Sequence, residues 1–467
     1  MATTEAPKSA DGSPLRELLA QALPTVATMA SYTVMTFVDK LVVSKIGPDP
    51  VYVGAQGNGG LASWVPMSVA AGTLTIVATY VSQNLGAGKP ERAPAYAWAG
   101  LWLSVAFWAL VLVPYSFFIP DVLALAKVDP EQARIGAVYG QILTWGSVLT
   151  LGTRAISQFF FGLHKPGIVL LAGVVANVVN LVLTYGLVLG KFGLPALGVP
   201  GSAIGTVIAA MVELAIPMAV FLGPRLNASL RTRSSWRRCR TQIVEIVRLG
   251  WPGGAMFGNE MFCWGYFMVH LVSQFGREHA TAGWIAHQYM SLSFMPAVGI
   301  SVACTAVVGR CMGMKRPDLA AKRAWLGVGL AMVYMIACGV AFVVFRRPLV
   351  LAFVQADTPP EVAERLVTLG SAFLIATAAF QAFDAIAMTI GGALRGAGDT
   401  IVPGVATLFL SWIVIVGGGT AMVEVVPSLG SLGPWIAAAS YIAVLSVFML
   451  WRFLGGKWKT RTVVKEG

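Results

Sequence analysis

The sequence predicts an all-α membrane protein: twelve transmembrane helices in two six-helix lobes, related by a pseudo-two-fold axis along the membrane normal. Three observations predict it. The first is composition. Hydrophobic residues make up 57% of the chain and charged residues 12%, where a soluble domain carries about 25% charged residues, and the mean hydropathy is +0.73. A chain of 467 residues this apolar cannot cover itself with polar surface, so lipid is its solvent. The second is an internal repeat. Val81 to Gly100 aligns without a gap on Val308 to Gly327, with identities at Val81/Val308, Gly86/Gly313, Pro90/Pro317, Ala93/Ala320, Ala97/Ala324, Trp98/Trp325 and Gly100/Gly327. Gly72/Gly299 extends the frame upstream. The third is parity. The repeated segment covers spans 2–3 and recurs as spans 8–9, six crossings later. Six is even, so both copies point the same way, as in parallel-repeat transporters.

Each span follows from an apolar stretch long enough to cross a core of about 30 Å. The expected limits are 15–46, 57–85, 94–120, 134–162, 167–190, 201–223, 242–275, 283–311, 324–346, 363–393, 401–424 and 432–454. Pro24, Pro66, Pro114, Pro252 and Pro296 fall inside spans. Such breakers are tolerated where neighbouring helices satisfy the freed carbonyls. The expected organisation is a disordered cytoplasmic tail (1–14), an N-lobe (15–224), a basic cytoplasmic linker (225–241), a C-lobe (242–455) and a second cytoplasmic tail (456–467).

The charge of +12 is a topology signal. Arg225, Arg231, Arg233, Arg237, Arg238 and Arg240 crowd one loop, with no aromatic interleaving beyond Trp236, so nucleic acid is not an expected partner. With the N-terminus inside, 22 of the 33 Lys and Arg fall on the inner side, nine on the outer and two within spans. The positive-inside rule then places both termini in the cytoplasm. Cys239, Cys263, Cys304, Cys311 and Cys338 have no metal-ligand spacing and read as packing residues. The four histidines form no ligand cluster.

Ionisable residues inside spans need a partner, a wet cavity or a proton. Glu260 lies near the middle of span 7, beside Asn259. Asp384 lies in span 10, with Gln381 one turn back on the same face. Asp39 lies in span 1 near its outer end, followed by Lys40. Glu213 in span 6 and Arg154 in span 4 are secondary candidates that could pair with each other or with the residues just named. Trp264, Phe262 and Tyr266 are candidates to line a path. The chain has no Walker A loop, H-E-x-x-H or G-x-S-x-G motif, so it is not expected to be an enzyme and needs no cofactor. Pumping would draw on an ion gradient. A carboxylate that holds H⁺ or Na⁺ and cargo in alternation couples the two fluxes.

These residues resemble a known family. Phe380-Gln381, Asp384 and Gly392-Ala393-Leu394-Arg395-Gly396-Ala397-Gly398-Asp399-Thr400 resemble a signature of multidrug and toxic compound extrusion (MATE) transporters. Phe37-Val38-Asp39, Gln83 to Gly88, Asn180, Gly190 to Gly198, Gly201-Ser202-Ala203, and Pro252 followed by Glu260 resemble its NorM-like branch, over about residues 15–455. The resemblance implies a V-shaped cavity between the lobes and export of amphipathic organic cations against H⁺ or Na⁺. Glu260 and Asp384 would form a C-lobe cation site, able to hold Na⁺, with Gln381 beside it; Asp39 and Asn180 would belong to the N-lobe. Two departures point to the C-lobe: Thr184 stands where related proteins carry Asn or Asp, and Phe161 before Gly162 replaces a frequent acidic residue. The Arg395-to-Thr400 turn reads as structural, with positive φ at Gly396 and Gly398 and Asp399 capping span 11.

The expectation is therefore a monomeric, multi-pass antiporter of the plasma (inner) membrane that exports drugs and toxic compounds. A flippase of lipid-linked saccharides would need several cavity cations, and Arg154 is the chief one here. A non-transporting membrane receptor would not need three buried carboxylates.

Overall fold

The computed structural model describes residues 13–47, 51–354 and 358–464, apart from the side chain of Arg238. The expected disordered tail lies almost wholly outside these residues; Pro14 at its end already opens the first helix. The described residues form no strand.

The described residues form twelve long rods. They are α1 (Pro14–Val43), α2 (Val51–Gly86), α3 (Pro90–Ser116), α4 (Pro130–Gly162), α5 (Pro166–Leu189) and α6 (Val199–Leu222). The second set is α7 (Arg240–Tyr266, continued by Phe267–Val272), α8 (Arg277–Gly313), α9 (Pro317–Val344), α10 (Pro360–Gly396), α11 (Ile401–Val425) and α12 (Leu432–Leu454). Ten are long and apolar enough to cross a membrane on composition alone. The exceptions are α4 and α7, which carry Arg154 and Glu260 among their charges. The most polar rods therefore hold candidate site residues.

Local chemistry sets the boundaries. The Asp129 carboxylate accepts from the amides of Glu131 and Gln132, both at 3.1 Å, and Pro130 follows as the first helical residue of α4. Gly190 ends α5 at φ +68°, a left-handed cap that favours glycine. The rods α3, α7 and α11 each contain a widened π-helical stretch: Trp108–Leu112, Phe267–Val272 and Ser411–Gly418.

The repeat found in the sequence becomes contact symmetry. Gly86, near the base of α2, packs on the backbone of Arg310, and Gly313, at the base of α8, packs on the backbone of Gln83. Gln83 and Arg310 occupy equivalent positions of the repeat, as do Gly86 and Gly313. The same holds halfway up the rods, where Gly72 meets Gly253 and Gly299 meets Val26. Each contact is exchanged with its mate, the signature of a two-fold relation. The axis runs between α2 and α8, along the rods.

The two halves meet on the face that carries both described ends of the chain. Thr79 Oγ1 donates to Arg395 O at 2.9 Å and Gln83 Nε2 to Gly396 O at 2.9 Å. Arg323 and Glu17 pair at 2.9 Å. Tyr96 Oη donates to Glu245 Oε2 at 2.7 Å and His164 Nε2 meets Ala306 O at 3.2 Å. The far end of α7, Phe267–Val272, packs instead on its own half, against α8, α11 and α12. The linker is ordered and sits on the first half: Leu226, Leu230 and Cys239 join the core of Phe159, Phe160 and Phe221, and Ile246 of α7 joins it too.

The tail after α12 also docks. Trp458 is fully buried on Phe453, with ring centroids 4.8 Å apart. The Val463 amide donates to Gln83 Oε1 at 3.0 Å, which carries the tail across to the first half.

Candidate functional site

Glu260 and Asp384 sit on neighbouring parts of the second half. Both are half-buried, project from α7 and α10 of the second half, and lie within coulombic range of each other. Arg395, near the base of α10, is within range of Glu260, and the Tyr441 ring of α12 is within range of both carboxylates. Among the described residues no hydrogen bond or ion pair satisfies either carboxylate. The Tyr441 hydroxyl is buried without a partner. Gln381 donates to Ser293 Oγ at 3.0 Å, and its carbonyl oxygen is buried and unpaired. The arrangement is a set of unsatisfied acceptors beside one cation, in a layer where each such group is costly.

Asn259 plays a different part. Its amide nitrogen donates to Ser411 Oγ at 2.6 Å and its oxygen accepts from Trp412 Nε1 at 2.8 Å. One donor and one acceptor of the amide thus fasten α7 to the π-helical stretch of α11. Trp264 and Tyr266 pack on the core of the second half. Phe262 is 55% exposed and stacks on Trp412.

The first half holds its own cluster. Asp39 of α1 is buried. Thr206 Oγ1 of α6 donates to Asp39 Oδ2 at 3.4 Å and receives Asn180 Nδ2 of α5 at 3.3 Å. Asp39 Oδ1, Thr184 Oγ1 and Gln56 Oε1 are all buried with no hydrogen-bond partner. Thr184 thus joins the cluster at the position where the sequence had pointed away from the first half.

Glu213 and Arg154 do not form an ion pair within 4 Å among the described residues; both converge on Tyr32 instead. Tyr32 Oη donates to Glu213 Oε1 at 2.6 Å, and the Arg154 guanidinium lies 5.0 Å from the centre of the Tyr32 ring. Sequence reasoning missed Tyr32, Tyr441, Thr206 and Gln56. The available signal was a lone polar group inside an apolar span, which many packing residues share.

The signature turn is structural, but not through a cap. Asp399 is wholly buried and takes a bidentate pair from Arg452, Nε at 2.8 Å and Nη2 at 3.2 Å, with Arg461 at 3.6 Å. No side chain caps α11. Gly398 has the positive φ, +83°. Gly396 is helical, and its value is close approach to the backbone of Thr305. The five cysteines are all free.

Comparison with known proteins agrees with this architecture. A chain from Burkholderia vietnamiensis, Multidrug resistance protein NorM, is 28% identical over 437 residues, covering 92% of each chain. A Mesorhizobium japonicum protein, named Probable multidrug resistance protein NorM, is 26% identical over 459 residues, 97% of this chain and 96% of its own. Among solved structures, a MOP superfamily transporter from Pyrococcus furiosus, described as having reverse polarity of its binding pocket, superposes with a TM-score of 0.85 at 18% identity, over 97% and 98% of the two chains. An outward-facing multidrug resistance MATE family transporter gives 0.83 at 18% identity, over 98% and 100%. The family model described as MatE matches twice, over residues 24–186 and 256–418, once in each half. With the repeat, the twelve rods and the paired halves, this double match makes the chain a member of the MatE family of multi-pass membrane transporters.

Proposed function

We propose that the protein is a secondary-active antiporter that exports amphipathic organic cations in exchange for H⁺ or Na⁺. The observation that carries this reading is that Glu260 and Asp384 lie within coulombic range of each other and, among the described residues, neither has a hydrogen-bonded or ion-paired partner. Two carboxylates in a poorly solvated layer call for neutralisation. A proton, Na⁺ or a cationic cargo supplies it, and competition among them is the coupling. The relatives' names, multidrug resistance proteins, support drugs as cargo.

The excess of Lys and Arg on the termini-bearing side supports a cytoplasmic placement of both termini in the plasma (inner) membrane. The halves meet on that side, and on this reading the described conformer belongs to the stage of the cycle in which the cytoplasmic side is shut. Entry of the coupling ion from outside displaces the cargo there, and rocking of the halves resets the site. The protein works as a monomer, since both halves lie in one chain.

A second reading places the coupling ion in the first half. The three orphaned oxygens of Asp39, Thr184 and Gln56 support it. One experiment separates the two: dye efflux from reconstituted vesicles under separately imposed Na⁺ and pH gradients. Glu260→Gln and Asp384→Asn are expected to lower coupled efflux at least tenfold without loss of folded protein. Asp39→Asn doing so alone transfers the coupling site to the first half, and unimpaired efflux in all three refutes the antiport assignment.

A further inference from the structure

A second site lies far from these carboxylates. On the termini-bearing face a groove of about 690 Å³ opens where the halves meet. Lys89 comes from the first half, Lys315 from the second, and Lys459 and Arg461 from the docked tail. A smaller cavity beside it, about 230 Å³, adds Arg316 and Lys322. Lys89 and Arg316 are equivalent positions of the repeat, so the two-fold relation itself gathers the cations around the axis. Among the described residues two carboxylates meet these cations: Asp318, 90% exposed, lies 3.6 Å from Lys459, and Asp399, which holds Arg452, lies 3.6 Å from Arg461. The cations of the groove outnumber them.

We propose that this groove binds a phosphate-bearing anion, and that the bound anion holds the halves together on this face. Compact multiple negative charge suits a concave set of cations. The walls belong to both halves and to the tail, so parting the halves dismantles the site. By linkage, a ligand that needs the assembled groove stabilises the closed seam. The phosphate could come from an anionic lipid headgroup in the adjoining leaflet or from a soluble compound.

The test uses the full chain in neutral detergent. Inorganic pyrophosphate is titrated in one arm and dioctanoyl phosphatidylglycerol in another, with dioctanoyl phosphatidylcholine as the uncharged control. The readout is the thermal unfolding midpoint. A saturable rise with phosphatidylglycerol alone supports the lipid source, and one with pyrophosphate supports a soluble source. In either case Lys89→Gln combined with Lys459→Gln is expected to raise the half-saturating concentration at least tenfold, while leaving the ligand-free midpoint in place. No rise with either anion, an equal rise with phosphatidylcholine, or an unchanged response in the double variant overturns the proposal. Because the readout is not transport, failure here leaves the antiport reading untouched.

Discussion

The repeat makes a quantitative prediction at Gly86 and Gly313. A Cβ built on Gly86 would overlap the carbonyl oxygen of Arg310 and lie 2.9 Å from its carbonyl carbon, and one on Gly313 would overlap the carbonyl oxygen of Gln83 and lie 2.8 Å from its carbonyl carbon. Ordinary contact begins near 3.4 Å. The obstacle is backbone on both sides, so no rotamer relieves it. A single methyl therefore forces the halves apart by at least half an ångström at the base of the seam. Overpacking of this kind costs about 1–3 kcal/mol. The cost falls on the closed seam alone, because opening separates the two surfaces. The ratio of closed to open then drops about 5- to 150-fold for Gly86→Ala or Gly313→Ala. Equivalent positions should give equal effects. The assay is the distance between spin labels at Lys165→Cys and Lys322→Cys, which are exposed on opposite halves of this face. Gly329→Ala is the control, since a methyl there meets nothing within 4 Å. Distances unchanged by both seam variants, or lengthened equally by the control, refute the reasoning.

Three further outcomes follow from the geometry. Asp399→Asn strands Arg452 in a buried site and should lower stability by about 3–5 kcal/mol in detergent unfolding, with Asp399→Leu plus Arg452→Leu recovering most of it. His164 sits in the turn after α4; burial, aided by the charge of Arg310, pushes its imidazole down from 6.5 to about 4. The closed seam holds the ring neutral, whereas an opened one takes up a proton below 6.5. Closure should weaken as pH falls from 6.5 to 4, with a ceiling of about 3 kcal/mol at 1.36 kcal/mol per tenfold in proton affinity; the label distances should lengthen over that range, and His164→Gln should flatten the response. Tyr32→Phe removes the donor 2.6 Å from Glu213 and should cost about 1.5–3 kcal/mol in thermal unfolding, the range for a bond to a charged acceptor; an unchanged midpoint argues against a charged Glu213.

The sequence by itself determined the twelve helices, because burial in lipid demands long uninterrupted apolar runs and these are read directly along the chain. It also determined the direction of the axis, because the identities from Val81/Val308 to Gly100/Gly327 recur after an even number of crossings. It named Glu260, Asp384 and Asp39, because a charge inside an apolar run stands out without any knowledge of its neighbours. Only the tertiary structure decided what those charges meet. Asp399 looked like a cap for the next helix and proved to be the partner of Arg452, 53 residues onward. Asn259, beside Glu260 in the sequence, proved to fasten α7 to Ser411 and Trp412. Glu213 and Arg154 were candidates to pair, with each other or with another charge, and both proved to sit at Tyr32. In each case the partner lies on another rod, and helical periodicity records which face a residue occupies but not which rod is packed against it. Pairing across rods is set by lateral packing, and that information belongs to the folded molecule as a whole.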